Sequence, residues 1–282
     1  MLNADAVAAH LAALGRGLRP GALGAEVRTL GSVTSTNDIA WAWADAGCPE
    51  GLVILAEEQV RGRGRFGRSW DCPRGRGLLM SVVLRPPAEA VGAAHVTALG
   101  ALAVAEAVEE LAQLSARIRW PNDVTVRDRK LAGVLVETRG GEGAPPCVMG
   151  MGVNVNVRPE ELADEVRSRA ASLASEAGRE FEIEEVAARV LGRLDARYRE
   201  ALEGRWPDVA AAWRARNSLL GEQVRLESRG RAYRGRVVGL DPVAGIELEF
   251  GRGERRAFRA EWTTLVEPPA GERLEEASGP LS

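Results

Sequence analysis

Apolar residues recur at three- and four-residue spacing over 91–114 and again through "EIEEVAARVLGRLDARYREALEG", predicting two long helices, the second with an apolar stripe opposite a charged face. The uninterrupted runs "LVIL" (52–55) and "LLMSVVL" (78–84) predict buried strands separated by a glycine-rich loop. "ARIRW" followed by "VTVRDRKLAGVLVE" predicts a strand and then a hairpin, with a tight turn near Arg127–Asp128 that folds Lys130 back beside residues 123–125. The chain from Val33 to about Val157 therefore predicts an α/β or α+β domain with at least five strands. Residues 160–217 predict a helical scaffold without chemistry of its own. Beyond "RNSLLG", the short runs "QVRLES", "AYRGRVVGL", "GIELEF" and "RRAFRA" alternate apolar and polar positions between glycine turns, predicting a small β-barrel or sandwich. The expected organisation is a helical N-terminal extension (1–30), a main α/β or α+β domain (31–217), a C-terminal barrel (218–267) and a disordered tail (268–282).

Composition narrows the function classes. The 282 residues are 45% hydrophobic and 27% charged with a formal net charge of -3, an ordinary globular balance without a molecule-wide basic field for nucleic acid. Cys48, Cys72 and Cys147 lack CxxC spacing, which argues against a structural zinc site or disulfide framework and suits a reducing cytoplasm. The N-terminal stretch lacks a basic n-region, and no run has the length a membrane span needs. His10 and His95 fall in helical patterns without supporting partners and are taken as structural.

Lys130 is the only lysine among 37 basic residues. Lysine differs from arginine in offering a compact point charge with three rotatable donors, suited to sitting between several oxygens. "EEQVRGRGRFGRSWDCPRGRG" (57–77) interleaves Arg61, Arg63, Arg65 and Arg68 with Gly62, Gly64 and Gly67. Glycines permit close backbone approach and arginines neutralise phosphate or carboxylate, so an anionic ligand is expected there. "TSTNDIAWAWADAG" (34–47) opens a helix that Ser35 or Thr36 can cap, with Asp38 completing an acidic capping box. "RWPNDVTV" places Asn122 and Asp123 ahead of a strand, near Lys130 across the expected hairpin. "VMGMGVNVNV" carries Gly150 and Gly152 at alternate positions, the pattern of a strand face against which a flat ligand or a closely crossing helix lies.

In order along the chain, "STN", "GRGRFGRSW", "RWPNDV", "RKLAGVLVE" and "GMGVNVN" resemble the motifs of the biotin protein ligases, from about Val33 into the C-terminal strands. The resemblance implies an α+β fold, a mixed-sheet catalytic domain related to class II aminoacyl-tRNA synthetases followed by a small SH3-like β-barrel. It implies an enzyme that forms biotinyl-5′-AMP from biotin and ATP, with Mg2+ accompanying the nucleotide, and transfers biotin to a lysine of a biotin carboxyl carrier protein. By resemblance, Ser35, Thr36 and Gln59 hold the biotin head group. Gly62, Arg63, Arg65, Lys130 and Gly133 complete the biotin site, and Arg63, Arg65, Arg68, Trp70, Asn122, Lys130, Gly152 and Asn154 bind ATP. Lys130 bridges the biotin carboxylate and the α-phosphate, Asp123 receives or orients the carrier amine, and Arg65 acts in the loop that retains the intermediate. No metal-ligand set is legible.

The chain departs from the family pattern at Arg61, Arg119 and Cys72 and in "AEWTTL" (260–265), which bears on loop dynamics and barrel detail rather than on a proposed catalytic group. Family members that double as repressors carry an N-terminal helix-turn-helix domain; about thirty residues precede the first motif here, so a ligase without operator binding is expected. Three other readings stand beside it: a lipoate or octanoate ligase of the same fold, a non-catalytic biotin sensor, and a nucleic-acid binder using Arg225, Arg229, Arg231, Arg234 and Arg236. Carrier identity and dimerisation are left open.

Overall fold

The computed structural model describes residues 1–15, 22–87, 91–139 and 146–266. It begins with helix α1 (Ala4–Ala13), strand β1 (Glu26–Val33), helix α2 (Thr36–Asp45), strands β2 (Leu52–Gln59) and β3 (Gly77–Leu84), and the long helix α3 (Ala93–Ala112). Strands β4 (Ala116–Arg119), β5 (Asp123–Val126), β6 (Arg129–Thr138) and β7 (Cys147–Asn154) follow, then helices α4 (Asp164–Arg167), α5 (Leu173–Ala177), α6 (Ile183–Leu202) and α7 (Trp206–Ala215). The last strands are β8 (Gln223–Ser228), β9 (Arg231–Asp241), β10 (Gly245–Glu249), β11 (Arg255–Phe258) and β12 (Thr263–Val266).

The first seven strands form one sheet in the order β1-β2-β3-β7-β6-β5-β4, mixed because β1 and β2 run parallel while the other neighbours are antiparallel. Strand alternation sorts its two faces. On β3, Leu78, Met80, Val82 and Leu84 join the main core with α3 and α6, whereas Val83 joins a smaller cluster with Ala40, Trp41 and Ala44 of α2. On β7, Met149, Met151 and Val153 enter the main core, so Gly150, Gly152 and Asn154 point to the α2 side. Every residue of β3 is buried, and each large side chain there contributes roughly 1.5–3 kcal/mol of burial free energy.

The remaining strands form a separate five-stranded antiparallel sheet in the order β11-β10-β9-β8-β12, the arrangement expected of an SH3-like unit. Although "AEWTTL" departs from the family pattern, it supplies a 3-10 turn (Ala260–Trp262) and the edge strand β12 paired with β8.

Three expectations need correction. The stretch expected as a helical extension over 1–30 contains α1, whose Val7 and Leu11 are buried in the main core, but Glu26–Leu30 are not helical and belong to β1. The histidines do have partners: His10 Nε2 lies 3.3 Å from a Glu182 carboxylate oxygen, and His95 packs edge-on against Trp206 while its Nδ1 accepts from Gly92 N–H at 3.1 Å. The 160–217 stretch is helical only in part, and its irregular segment 169–172 touches the functional face. The tail expected over 268–282 lies outside the described residues.

Candidate active site

The glycine side of the large sheet, the N-terminus of α2 and the arginine-glycine loop converge. Arg127 and Asp128 both take left-handed φ angles, 49° and 60°, giving the two-residue turn that joins β5 to β6. The register then slips between Val124 and Thr125: Val124 pairs with Ala132 but Thr125 with Lys130. Leu131 is the extra residue, and both it and Ala132 enter the core. A bulge re-aims the side chains beyond it. Lys130 consequently emerges on the same face as Gly133, with Nζ 2.8 Å from Asp123 Oδ1 and 5.5 Å from the Trp70 ring centre.

The Lys130 backbone is clamped as well. Its N–H donates to Arg169 O at 2.7 Å, and its carbonyl accepts from Ala171 N–H at 2.8 Å. Asn154, 5% exposed, donates its amide to Ala171 O at 3.0 Å. Glu176, whose side chain is fully buried, forms ion pairs with Arg127 in the hairpin turn and with Arg129 at the start of β6. Residues 169–176 thus hold the hairpin that presents Lys130.

At the start of α2, Ser35 has extended N-cap backbone geometry but makes no side-chain cap bond. The expected capping box is absent, and its acid, Asp38, is engaged elsewhere. Thr36 N–H donates to Gln59 Oε1 at 2.7 Å, while Asp38 accepts from Thr34 Oγ1 at 3.1 Å and from Arg63 Nη2 at 2.7 Å. The hydrogen bond from Arg63 holds the Asp38 carboxyl below its usual range.

The arginine-glycine segment is a narrow loop closed by Trp70 N–H to Gly62 O at 3.0 Å and Gly64 N–H to Arg68 O at 2.7 Å. A Cβ on Gly62 would stand 2.2 Å from Trp70 O, so this crossing requires glycine. The arginines diverge. Arg63 reaches the carboxylates of Asp38 and Glu137. Arg65 donates to Asn122 Oδ1 and to the carbonyls of Ala260 and Thr263, and Arg68 donates to Thr264 Oγ1 at 3.1 Å. Burial lowers the Arg65 pKa, opposed by the Asp123 charge. Arg65 and Arg68 therefore tie the loop to the C-terminal sheet.

The face expected to receive a flat ligand carries flat groups of the chain itself. A Cβ at Gly152 would lie 2.4 Å from the Trp70 indole, and one at Gly150 would lie 2.4 Å from the Asn37 carboxamide. Ser35, Thr36 and Asn37 are each 3% exposed. The site thus has a buried polar end at α2 and an open charged end at Lys130, which is 42% exposed. Among the described residues, no group of His, Cys, Asp and Glu is placed to hold a metal ion.

This arrangement has relatives. Residues 30–154 match the biotin/lipoate A/B protein ligase family. The chain is 35% identical over 203 residues to a biotin–[acetyl-CoA-carboxylase] ligase of Mycobacterium tuberculosis, spanning 70% of this chain and 72% of that protein. The chain belongs to the biotin protein ligases. It is also 30% identical over 230 residues to a bifunctional ligase/repressor of Bacillus subtilis, spanning 81% of this chain and 71% of that protein. Among solved structures, the biotin protein ligase of Aquifex aeolicus in complex with biotin and ATP matches with a TM-score of 0.76 at 28% identity, over 86% of this chain and 99% of that one.

In this biotin protein ligase the motif residues gather on one side of the sheet, apart from Asn122, which bonds Val134 O at 2.7 Å from the rim and meets Arg65. Sequence reasoning missed Asn37, Ser81, Glu137, Glu176 and the 169–171 backbone. Ser81 was detectable in principle as the one polar residue in an apolar strand. Asn37 and Glu137 fall inside the motifs "STN" and "RKLAGVLVE" but were given no role, and Glu176 and the 169–171 backbone carried no local signal, because each acts through a partner remote in sequence. Of the barrel arginines offered to nucleic acid, Arg236 pairs with Glu249 and Arg229 lies over Trp262.

Proposed function

We infer that the chain is an ATP-dependent biotin protein ligase that forms biotinyl-5′-AMP and passes biotin to a lysine of a carboxyl carrier protein. The observation that carries this reading is the Lys130–Asp123 pair, 2.8 Å apart on the glycine face and within reach of the arginine-glycine loop.

In the first step a biotin carboxylate oxygen attacks the α-phosphorus of ATP, a P–O bond forms, and pyrophosphate leaves. Both reactants are anionic, and Lys130 supplies a mobile ammonium that can touch an oxygen of each as negative charge redistributes. Thr36 and Gln59 bind the head group at the buried end, which directs the carboxylate toward Lys130. Arg63, Arg65, Arg68 and Trp70 cover the adenylate, with Gly152 and Asn154 on the nucleotide side, and Mg2+ accompanies ATP. In the second step the carrier amine attacks the acyl carbon, AMP leaves, and Asp123 takes the proton the amine must lose. The carrier is a cytoplasmic protein or domain that presents one lysine to this face.

The test is ATP–pyrophosphate exchange by the purified protein with Mg2+ and biotin, lipoate, octanoate or no acid. Biotin-dependent exchange is expected; exchange with lipoate or octanoate alone would transfer the activity to the sister enzymes, and none at all would leave a sensor.

A further inference from the structure

The buried end of the site contains more hydrogen-bond contacts than its hydroxyls have protons. Thr36 N–H donates to Gln59 Oε1 at 2.7 Å. A backbone N–H only donates, so this contact fixes the Gln59 oxygen and turns its NH2 toward Gly62. Thr36 Oγ1 lies 2.9 Å from the same Gln59 oxygen. Ser81 Oγ lies 2.7 Å from Thr36 Oγ1 and 2.7 Å from the near end of the Asn37 carboxamide. The last three contacts need three protons, and the two hydroxyls bring two. The third can come only from the Asn37 amide, with its NH2 facing Ser81.

We propose that Asn37 is a positioning residue that sets the direction of the chain Asn37 to Ser81 to Thr36 to Gln59, and through it which head group the pocket accepts; this rests on the biotin reading above. With each hydroxyl proton committed along the chain, Thr36 can offer a ligand only a lone pair, and Gln59 offers the N–H of its amide. A cyclic urea presents the complement, an N–H donor beside a carbonyl acceptor. A dithiolane or alkyl chain makes neither bond and leaves buried polar groups unpaired, which is a strong basis for rejection.

The fold specifies this residue closely. Alternation along β3 brings Ser81, 0% exposed, to the α2 face, and Gly150 leaves room for the carboxamide to lie flat against β7. An aspartate at 37 could only accept. Ser81 would then donate to it and Thr36 to Ser81, leaving Thr36 Oγ1 and Gln59 Oε1 facing each other with no proton between them.

The experiment measures pyrophosphate exchange with biotin and with 2-iminobiotin, whose ring bears a protonated imino donor in place of the carbonyl. Wild type, Asn37→Asp and Ser81→Ala are compared, with thermal melting of each. In Asn37→Asp, KM for biotin is expected to rise about tenfold while kcat changes by less than about threefold, and the preference for biotin over 2-iminobiotin to shrink by a similar factor. Ser81→Ala, which breaks the chain without a new charge, should narrow the preference in the same direction and decides the question if the aspartate variant does not fold. An unchanged preference, or a loss confined to kcat, overturns the chain. If wild type shows no biotin-dependent exchange, the ligase reading itself falls and the head-group assignment with it.

Discussion

Lys130 Nζ and Asp123 Oδ1 meet at 2.8 Å because a one-residue bulge at Leu131 turns the lysine out of the core side of β6. Strict alternation would have placed Lys130 on the side of Ala132 and Val134, both core residues. The pair is partly exposed, so its worth to stability is small and its worth to chemistry is the placement of one mobile cation.

Lys130→Arg should therefore leave the melting temperature within about 2 °C of wild type and lower adenylate formation by roughly a hundredfold. The guanidinium keeps the charge but not the compact geometry. Single-turnover formation of biotinyl-AMP checks it, and near-normal rates would remove Lys130 from the chemistry.

Arg65→Gly removes the contacts to Asn122 and to the carbonyls of Ala260 and Thr263. The loop loses a tether to the C-terminal sheet, and biotinyl-AMP should dissociate at least about tenfold faster. The readout is adenylate release in a filter assay, together with biotin labelling of bystander lysines. Unaltered retention would mean that the tether does not govern the loop.

Gly152→Ala places a methyl group 2.4 Å from the Trp70 indole. The indole must move, at a cost of about 1–3 kcal/mol. Tryptophan emission should shift, and KM for ATP should rise more than KM for biotin.

Glu106, with a side chain 6% exposed, receives Arg197 through both carboxylate oxygens. Glu106→Ala leaves that guanidinium without its main partner between α3 and α6 and should cost about 3 kcal/mol in a denaturant melt, with m unchanged.

Burial pushes the thiols of Cys72 and Cys147 up to about 12. Both stay protonated at pH 8, so iodoacetamide should modify the native protein far more slowly there than the unfolded chain, with Cys48 reacting first. The folded thiols hold their protons to higher pH than the unfolded ones. Their contribution is complete below the unfolded value and is lost as pH rises from 9.0 toward about 12. Mass spectrometry after timed alkylation and melts across that range check both statements.

The motifs were legible because they are local. "GRGRFGRSW" announces close backbone approach, and "VTVRDRKLAGVLVE" announces a hairpin whose turn falls at Arg127 and Asp128, where the left-handed residues stand. The part played by 169–176 was not legible. Its backbone pairs with Lys130 across about forty residues of chain, and an irregular segment has no periodicity to reveal such a partner.

By itself the sequence determined the long helices, the buried strands, the change to short strands after Leu219 and the roster of groups able to bind anions. These follow from period, turn chemistry and residue type, which act over a few neighbours. Tertiary structure alone decided which face each group serves. The bulge at Leu131 chose the side for Lys130, and packing against Trp70 and Asn37 used the space left by Gly152 and Gly150. The diverging arginines chose between the carboxylates of Asp38 and Glu137 and the carbonyls of the C-terminal sheet. Register slips, close crossings and remote hydrogen bonds depend on segments distant along the chain, and their energies are settled only when those segments meet.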